Sequence, residues 1–117
     1  MDKHTVSFVD GPLAGREFTL TRTVVLLRVA VDHRGAGRCL GGVLDEPVRG
    51  EHTYAYVMVK HSMSFDRGRL ITDSEYRLAP KQPPQDAMMS RAAWLEWCNA
   101  RKDKITAIRD RLLACAW

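Results

Sequence analysis

Three prolines within five residues, Pro80, Pro83 and Pro84, divide the sequence into two parts with different patterning. Proline lacks a backbone N–H and fixes φ, so neither a helix nor a central strand can run through this stretch. Ahead of it, short alternating apolar segments are punctuated by glycines. Behind it, residues 85–117 contain neither Gly nor Pro. The expected fold class is α+β: an antiparallel sheet of four to six strands over residues 4–79, followed by a C-terminal helix or helix pair. Residues 80–85 form a Pro-rich connector and 86–116 a helical tail. At 117 residues with 45% hydrophobic and 27% charged side chains, the chain is expected to be one domain with one core.

The front part reads as strands joined by turns. Thr5 to Asp10 alternates, with Val6 and Phe8 on one face. Asp10-Gly11-Pro12-Leu13-Ala14-Gly15 is dense in turn residues, and Arg16 to Thr21 follows with Phe18 and Leu20 in phase, which predicts a hairpin. Thr23 to Val31 is the strongest strand, with Val25, Leu27, Val29 and Val31 forming a wholly apolar face. Asp32 to Gly50 holds five glycines and is expected as a surface loop, with a short helical turn near Leu40 to Leu44. Thr53 to Lys60 is a further strand. Asp66-Arg67-Gly68 turns the chain into Arg69 to Thr72, with Tyr76 and Leu78 extending the pairing.

The tail carries a helical stripe. Trp94, Cys98, Arg101, Ile105, Ile108, Leu112 and Cys115 follow a 4-3-4-3-4-3 spacing, starting after Asp86 or Ser90 as an N-cap. Two readings stay open: one continuous helix, or two helices breaking near Asn99 to Asp103. The stripe either covers the chain's own sheet or meets a partner. In the second case Trp94, Trp97, Ile105, Ile108 and Leu112 are the interface residues, since tryptophan buries much area at low entropic cost.

Most of the net charge also lies in the tail. Residues 1–80 carry 11 basic and 10 acidic side chains, and residues 81–117 carry 7 and 4. Arg101, Lys102, Lys104, Arg109 and Arg111 are candidate phosphate contacts for a nucleic-acid partner. At 100° per residue they divide between two sectors of a helix and alternate with Asp103 and Asp110, so an ordinary solvated helix surface is the plainer reading.

Catalytic and metal chemistry find little foothold. Cys39, Cys98 and Cys115 are odd in number and far apart, unlike a disulfide framework. The four histidines are scattered, with no ligand pair at zinc spacing. Ser62 and Ser64 beside His61 are the nearest approach to a nucleophile with a base, and no third orienting group accompanies them. No catalytic residue, metal or cofactor is expected. The longest apolar run, Val24 to Val31, is interrupted by Arg28 and is too short to span a bilayer, and Met1 to Thr5 leads into no signal-like stretch. A cytoplasmic protein with free thiols and no membrane partner is expected.

Three resemblances can be drawn. Val6-Ser7-Phe8-Val9-Asp10-Gly11-Pro12-Leu13-Ala14-Gly15-Arg16, with the later Tyr54-Ala55-Tyr56 strand, resembles a Gly-Pro-x-x-Gly-Arg hairpin of small proteins from high-GC actinobacteria and their phages. That resemblance implies a small β-rich module, quite apart from any catalytic residue. The same turn resembles the first hairpin of forkhead-associated domains, whose later Gly-Arg and Ser-x-x-His signatures are absent here. Arg34-Gly35-Ala36-Gly37 after an apolar strand resembles the Gly-rich turn of acetyl-CoA-dependent N-acetyltransferases, which implies pyrophosphate held by backbone N–H groups and a helix N-terminus. Gly41 and Gly42 stand where that family continues its helix, so a glycine loop between strands is the plainer expectation.

Taken together, these features point first to a non-enzymatic protein–protein interaction module. It would self-associate, as a homodimer, or bind a host or virion protein through its C-terminal helix. Nucleic-acid binding by the basic tail is the alternative, and an acyl-CoA-binding enzyme using Arg34 to Gly37 the second alternative.

Overall fold

The computed structural model describes residues 2–40, 46–84 and 90–116, with side chains described through Leu112. Six strands, β1 (Lys3–Phe8), β2 (Glu17–Leu20), β3 (Leu26–Val31), β4 (Gly37–Cys39), β5 (His52–Asp66) and β6 (Arg69–Leu78), precede two helices, α1 (Arg91–Asn99) and α2 (Lys102–Ala116). The strands form one sheet in the order β2-β1-β6-β5-β3-β4. The α+β class stands as expected, and the strand number falls at the top of the expected range.

The sheet is mixed and not purely antiparallel. β1 pairs with β6 in parallel, from Lys3 opposite Ile71 to Phe8 opposite Tyr76, while the other neighbours are antiparallel. The reason is the crossing after β2. Having returned along the outer side of β1, the chain passes through residues 21–25 to the other half of the sheet. The crossing is held by two backbone carbonyls: Tyr76 Oη donates to Val24 O, and Met58 N donates to Val25 O at 2.8 Å. This use of residues 23–25 also explains why β3 starts at Leu26 and not at Thr23. β6 then re-enters beside β1, where Asp10 Oδ1 accepts the Leu78 N–H at 2.6 Å.

Two further differences from the sequence reading have local causes. β5 continues to Asp66, well past Lys60, because a bulge between Met58 and Lys60 resets its alternation. Tyr56 and Met58 share a face, and after the bulge His61, Met63 and Phe65 take up the same face. Arg67 and Gly68, with φ of 54° and 79°, close the hairpin to β6 in the left-handed conformation that two-residue loops favour. The Asp32–Gly50 connection includes a strand, β4. Asp32 Oδ1 accepts the N–H groups of Arg34 and Ala36, each at 2.9 Å, and this turn sends Gly37–Cys39 back along β3. The helical turn expected near Leu40 to Leu44 lies largely outside the described residues.

The core has two parts. The larger holds Val6, Phe8, Leu13, Leu27, Val29, Tyr56, Met58 and Tyr76, and α2 contributes Leu112 to it, with Ile108 packed alongside. The smaller, on the other face of β3 and β5, joins Ala55, Ala79 and Trp94, with Leu26, Trp97 and Cys98 against it. Small residues at positions 55 and 79 leave the space that the Trp94 ring occupies. Sheet curvature brings the far edge round: a side chain on Gly37 of β4 would collide with Leu13 in the β1–β2 turn.

The connector is neither helix nor strand over residues 80–84, with bends at Pro80 and Lys81. Gln82 ties it to the sheet: its side chain accepts from Ala55 N at 2.7 Å and donates to Ala55 O and Ala79 O, both at 2.9 Å. Ser90 is the N-cap of α1, accepting the Ala93 N–H at 3.1 Å; Asp86 lies outside the described residues. The tail is two helices, separated at Ala100 and Arg101. The break has a packing cause, since α1 serves the small cluster through Trp94 while α2 serves the large one through Leu112. A straight helix could not reach both faces of the sheet.

Candidate functional site

A half-open cleft of about 780 Å³ lies between the helix pair, the residue 19–25 crossing and the start of β3. Its volume falls in the range of ordinary ligand and peptide sites. The apolar part of its lining includes Leu26, Met58, Trp94, Ile105 and Leu112. Among the described lining residues the charged side chains are Arg22, Arg28, Arg91 and Arg109, with His61 beside them and no Asp or Glu.

Arg28 is the most unusual of these. It sits in the middle of β3, on the face opposite Leu27 and Val29, and is 2% exposed. Its guanidinium lies 5.9 Å from the centroid of the Trp94 ring, within cation–π range. The cleft therefore has a cationic group within its wall, and the flatter charges of Arg22 and Arg109 lie at its exposed rim. Arg109 Nε stands 3.6 Å from Asp110 Oδ1, both well exposed, so this pair is a weak one.

The tail residues proposed from sequence divide by role. Trp94 and Leu112 are each 7% exposed and belong to the chain's own core. Ile108 packs against the larger cluster and Trp97 against the smaller. Ile105 lines the cleft, half-buried, outside both clusters. Trp94 and Trp97 stack with centroids 5.7 Å apart, and Arg101 lies 4.1 Å above the Trp97 ring while donating to Trp97 O at 3.3 Å. Of the basic tail residues, Lys102, Lys104, Arg109 and Arg111 are exposed, whereas Arg101 is held by this ring.

The structure also brings together a group that sequence proximity could not. His61 Nδ1 lies 2.8 Å from Ser74 Oγ, and His4 Nδ1 lies 2.7 Å from Thr72 Oγ1. Ser74 and Thr72 are each 2% exposed. The four residues sit on one face of three adjacent strands, linked by the parallel β1–β6 pairing. Burial pushes the His61 imidazole below its ordinary value of 6.5, with His4 adding to the effect. A neutral imidazole beside a hydroxyl satisfies both polar groups in the core. Ser62, a sequence neighbour, points elsewhere and donates to Asp73 O at 3.4 Å.

Cys39 and Cys98 line the cleft and are free thiols, each pushed up to about 11 by burial. They are protonated and poorly nucleophilic at neutral pH. Among the described residues, no three His, Cys, Asp or Glu side chains gather as metal ligands. In the Arg34 to Gly37 turn, the Arg34 and Ala36 N–H groups are engaged by Asp32, and β4 follows where a nucleotide-binding turn would start a helix. Among the described residues, no helix is long and apolar enough to cross a membrane. Comparison with protein-family models, curated proteins and solved structures finds no match to the chain.

Proposed function

We propose that the protein is a non-enzymatic protein–protein interaction module, and that the cleft between the helix pair and the sheet receives its partner. The observation that carries this reading is the apolar continuity between cleft and surface. Ile105 lines the cleft without belonging to either core cluster, and Leu95, on the adjoining helix, lines it while remaining 44% exposed. A small ligand is usually enclosed on most sides. Here the apolar wall runs out of the mouth onto the outer side of α1, which suits a macromolecular segment laid along the helices. The partner is then a second copy of the chain or a different protein, and an origin in phages or high-GC bacteria would make a host or virion protein the natural candidate.

Ile105→Asp tests the reading. Light scattering of the purified chain shows whether it self-associates, and affinity capture from nuclease-treated lysate shows what else it holds. The substitution should remove the association while circular dichroism and the melting curve stay near those of the parent. Association unchanged by Ile105→Asp would remove the cleft from the account. Nucleic-acid capture that disappears with nuclease would instead favour the basic face of α2.

A further inference from the structure

We infer that the partner is a second copy of this chain, joined edge to edge along the far half of β5; this rests on the reading of the cleft as a protein-docking site. β3 accompanies β5 only from His52 to Val57, with one further bond from Met58 N to Val25 O. Beyond the bulge, β5 runs on to Asp66 paired with β6 on one side alone. In an antiparallel pair, successive residues turn their N–H and C=O groups alternately toward the neighbouring strand and away from it. Arg67 and Gly68 form a two-residue loop, so the closing residues Asp66 and Arg69 bond each other, and by alternation Ser64 bonds Ile71 and Ser62 bonds Asp73. The main-chain N–H and C=O groups of Phe65, Met63 and His61 therefore point to the open side. Among the described residues nothing hydrogen-bonds them there. Such an edge is a template for another strand. His61 also lines the cleft, so the open edge begins at the cleft wall.

The sequence of the edge selects the strand that fits it. Residues 60–66 read Lys-His-Ser-Met-Ser-Phe-Asp. Paired antiparallel with its own copy about Met63, the segment sets Lys60 against Asp66 of the second copy at both ends, and Ser62 against Ser64. These are the closer, non-hydrogen-bonded pairs, where side chains interact most. His61 meets Phe65, and Met63 meets Met63, in the hydrogen-bonded pairs, so the outward main-chain groups of all three residues are used. Side chains stand wider apart in those pairs, which leaves position 65 open to substitution. A shift of the register by one step loses both charge pairs. Within the chain Lys60 and Asp66 face Glu75 and Arg69 across β6, and among the described residues neither forms an ion pair. Lys60, Ser62, Ser64 and Asp66 are all exposed. The pairing brings the Asp66 end of the second copy up to Lys60, beside the cleft, and makes one continuous sheet of two.

Sedimentation velocity of the full chain over a concentration series tests this. The parent should sediment as a dimer that dissociates on dilution. Lys60→Asp puts Asp against Asp66 at both ends, and Asp66→Lys puts Lys against Lys60. Each change lies on an exposed position and should weaken the dimer roughly tenfold or more, with circular dichroism unchanged. An equimolar mixture of the two variants restores opposite charges at both ends and should dimerise as the parent does. The double variant Lys60→Asp/Asp66→Lys should do the same. Dimerisation that the single variants leave untouched, or that the mixture does not restore, would overturn the inference. A parent that stays monomeric up to millimolar concentration would overturn it as well, and would leave a different protein as the occupant of the cleft. Ile105→Asp judges the docking reading separately. Association lost in Ile105→Asp but indifferent to the charges at 60 and 66 keeps the cleft and removes the edge. Association lost in Lys60→Asp but kept in Ile105→Asp keeps the edge and removes the cleft.

Discussion

Removal of the Tyr56 hydroxyl should cost far more than a surface substitution, and its cost should depend on residue 11. Tyr56 is fully buried on β5. Its hydroxyl donates to Asp10 O at 3.0 Å and accepts from Leu13 N at 3.2 Å, so it fastens the β1–β2 turn to the middle of the sheet. Tyr56→Phe leaves the Leu13 N–H and the Asp10 carbonyl facing apolar surroundings. One buried unsatisfied group costs about 1–3 kcal/mol, and a loss of about 2 kcal/mol is the central expectation. For a domain of this size that corresponds to a fall in Tm of roughly 6–12 °C. Gly11 sharpens the test. It has φ of 73°, and a methyl group there would approach Tyr56 Oη to 2.5 Å but Cζ only to 3.2 Å. Gly11→Ala should therefore cost about 1 kcal/mol from backbone strain, plus the hydroxyl clash. In the Tyr56→Phe background the contact with Oη disappears, leaving the strain and the milder 3.2 Å approach to Cζ. Urea unfolding of the four species should give a double-mutant cycle with less than additive loss, the coupling being about 1 kcal/mol. Additive losses, or a Tyr56→Phe variant as stable as its parent, would show that the hydroxyl does not hold the turn.

Further outcomes follow from other parts of the fold. His61 favours the neutral form when folded, so the unfolded chain takes up its proton first on acidification. The stability it contributes is present above its ordinary value of 6.5 and is lost as pH falls below it. Melting curves from about pH 7.5 to pH 5 should slope less steeply in His61→Gln than in the parent; an unchanged slope would place the titration elsewhere. Leu112→Ala, at a 7% exposed core position, should cost about 2–4 kcal/mol in urea unfolding, against about 1 kcal/mol or less for Ile105→Asp. Equal losses would contradict the division between core and cleft. Cys39 and Cys98, each with a thiol raised to about 11, should alkylate much more slowly at neutral pH than a free cysteine, read peptide by peptide in mass spectra.

How much was readable beforehand depended on whether the signal was local. The face made by Leu27, Val29 and Val31, the Arg67-Gly68 turn, the Ser90 cap and the break at the proline connector all follow from neighbouring residues, and each has its place in the structure. β4 was obscured because three residues between glycines carry little periodicity, although Asp32 ahead of Arg34 was a usable turn signal. The far half of β5 was obscured because the bulge at Val59 shifts its alternation. The parallel β1–β6 pairing depends on the crossing at residues 21–25, which no local pattern encodes, and the His61–Ser74 contact depends on the β5–β6 register that the bulge sets. The cleft has the same character. Arg28 reads in sequence as an interruption of an apolar strand. Only folding places it beside Trp94, 66 positions later, and in one cavity with Arg22, Arg91 and Arg109.

The most direct test of the account compares two apolar sites in one capture experiment. Phe65, at the end of the β5–β6 hairpin, is 72% exposed and far more open than Ile105. Parent, Ile105→Asp and Phe65→Asp chains would be used as bait in the same nuclease-treated lysate, and the bound proteins quantified by mass spectrometry. The account predicts a protein, or the chain's own second copy, retained by the parent and by Phe65→Asp but lost from Ile105→Asp. Retention by Ile105→Asp with loss from Phe65→Asp would move the interface to the hairpin and contradict the cleft as the docking site.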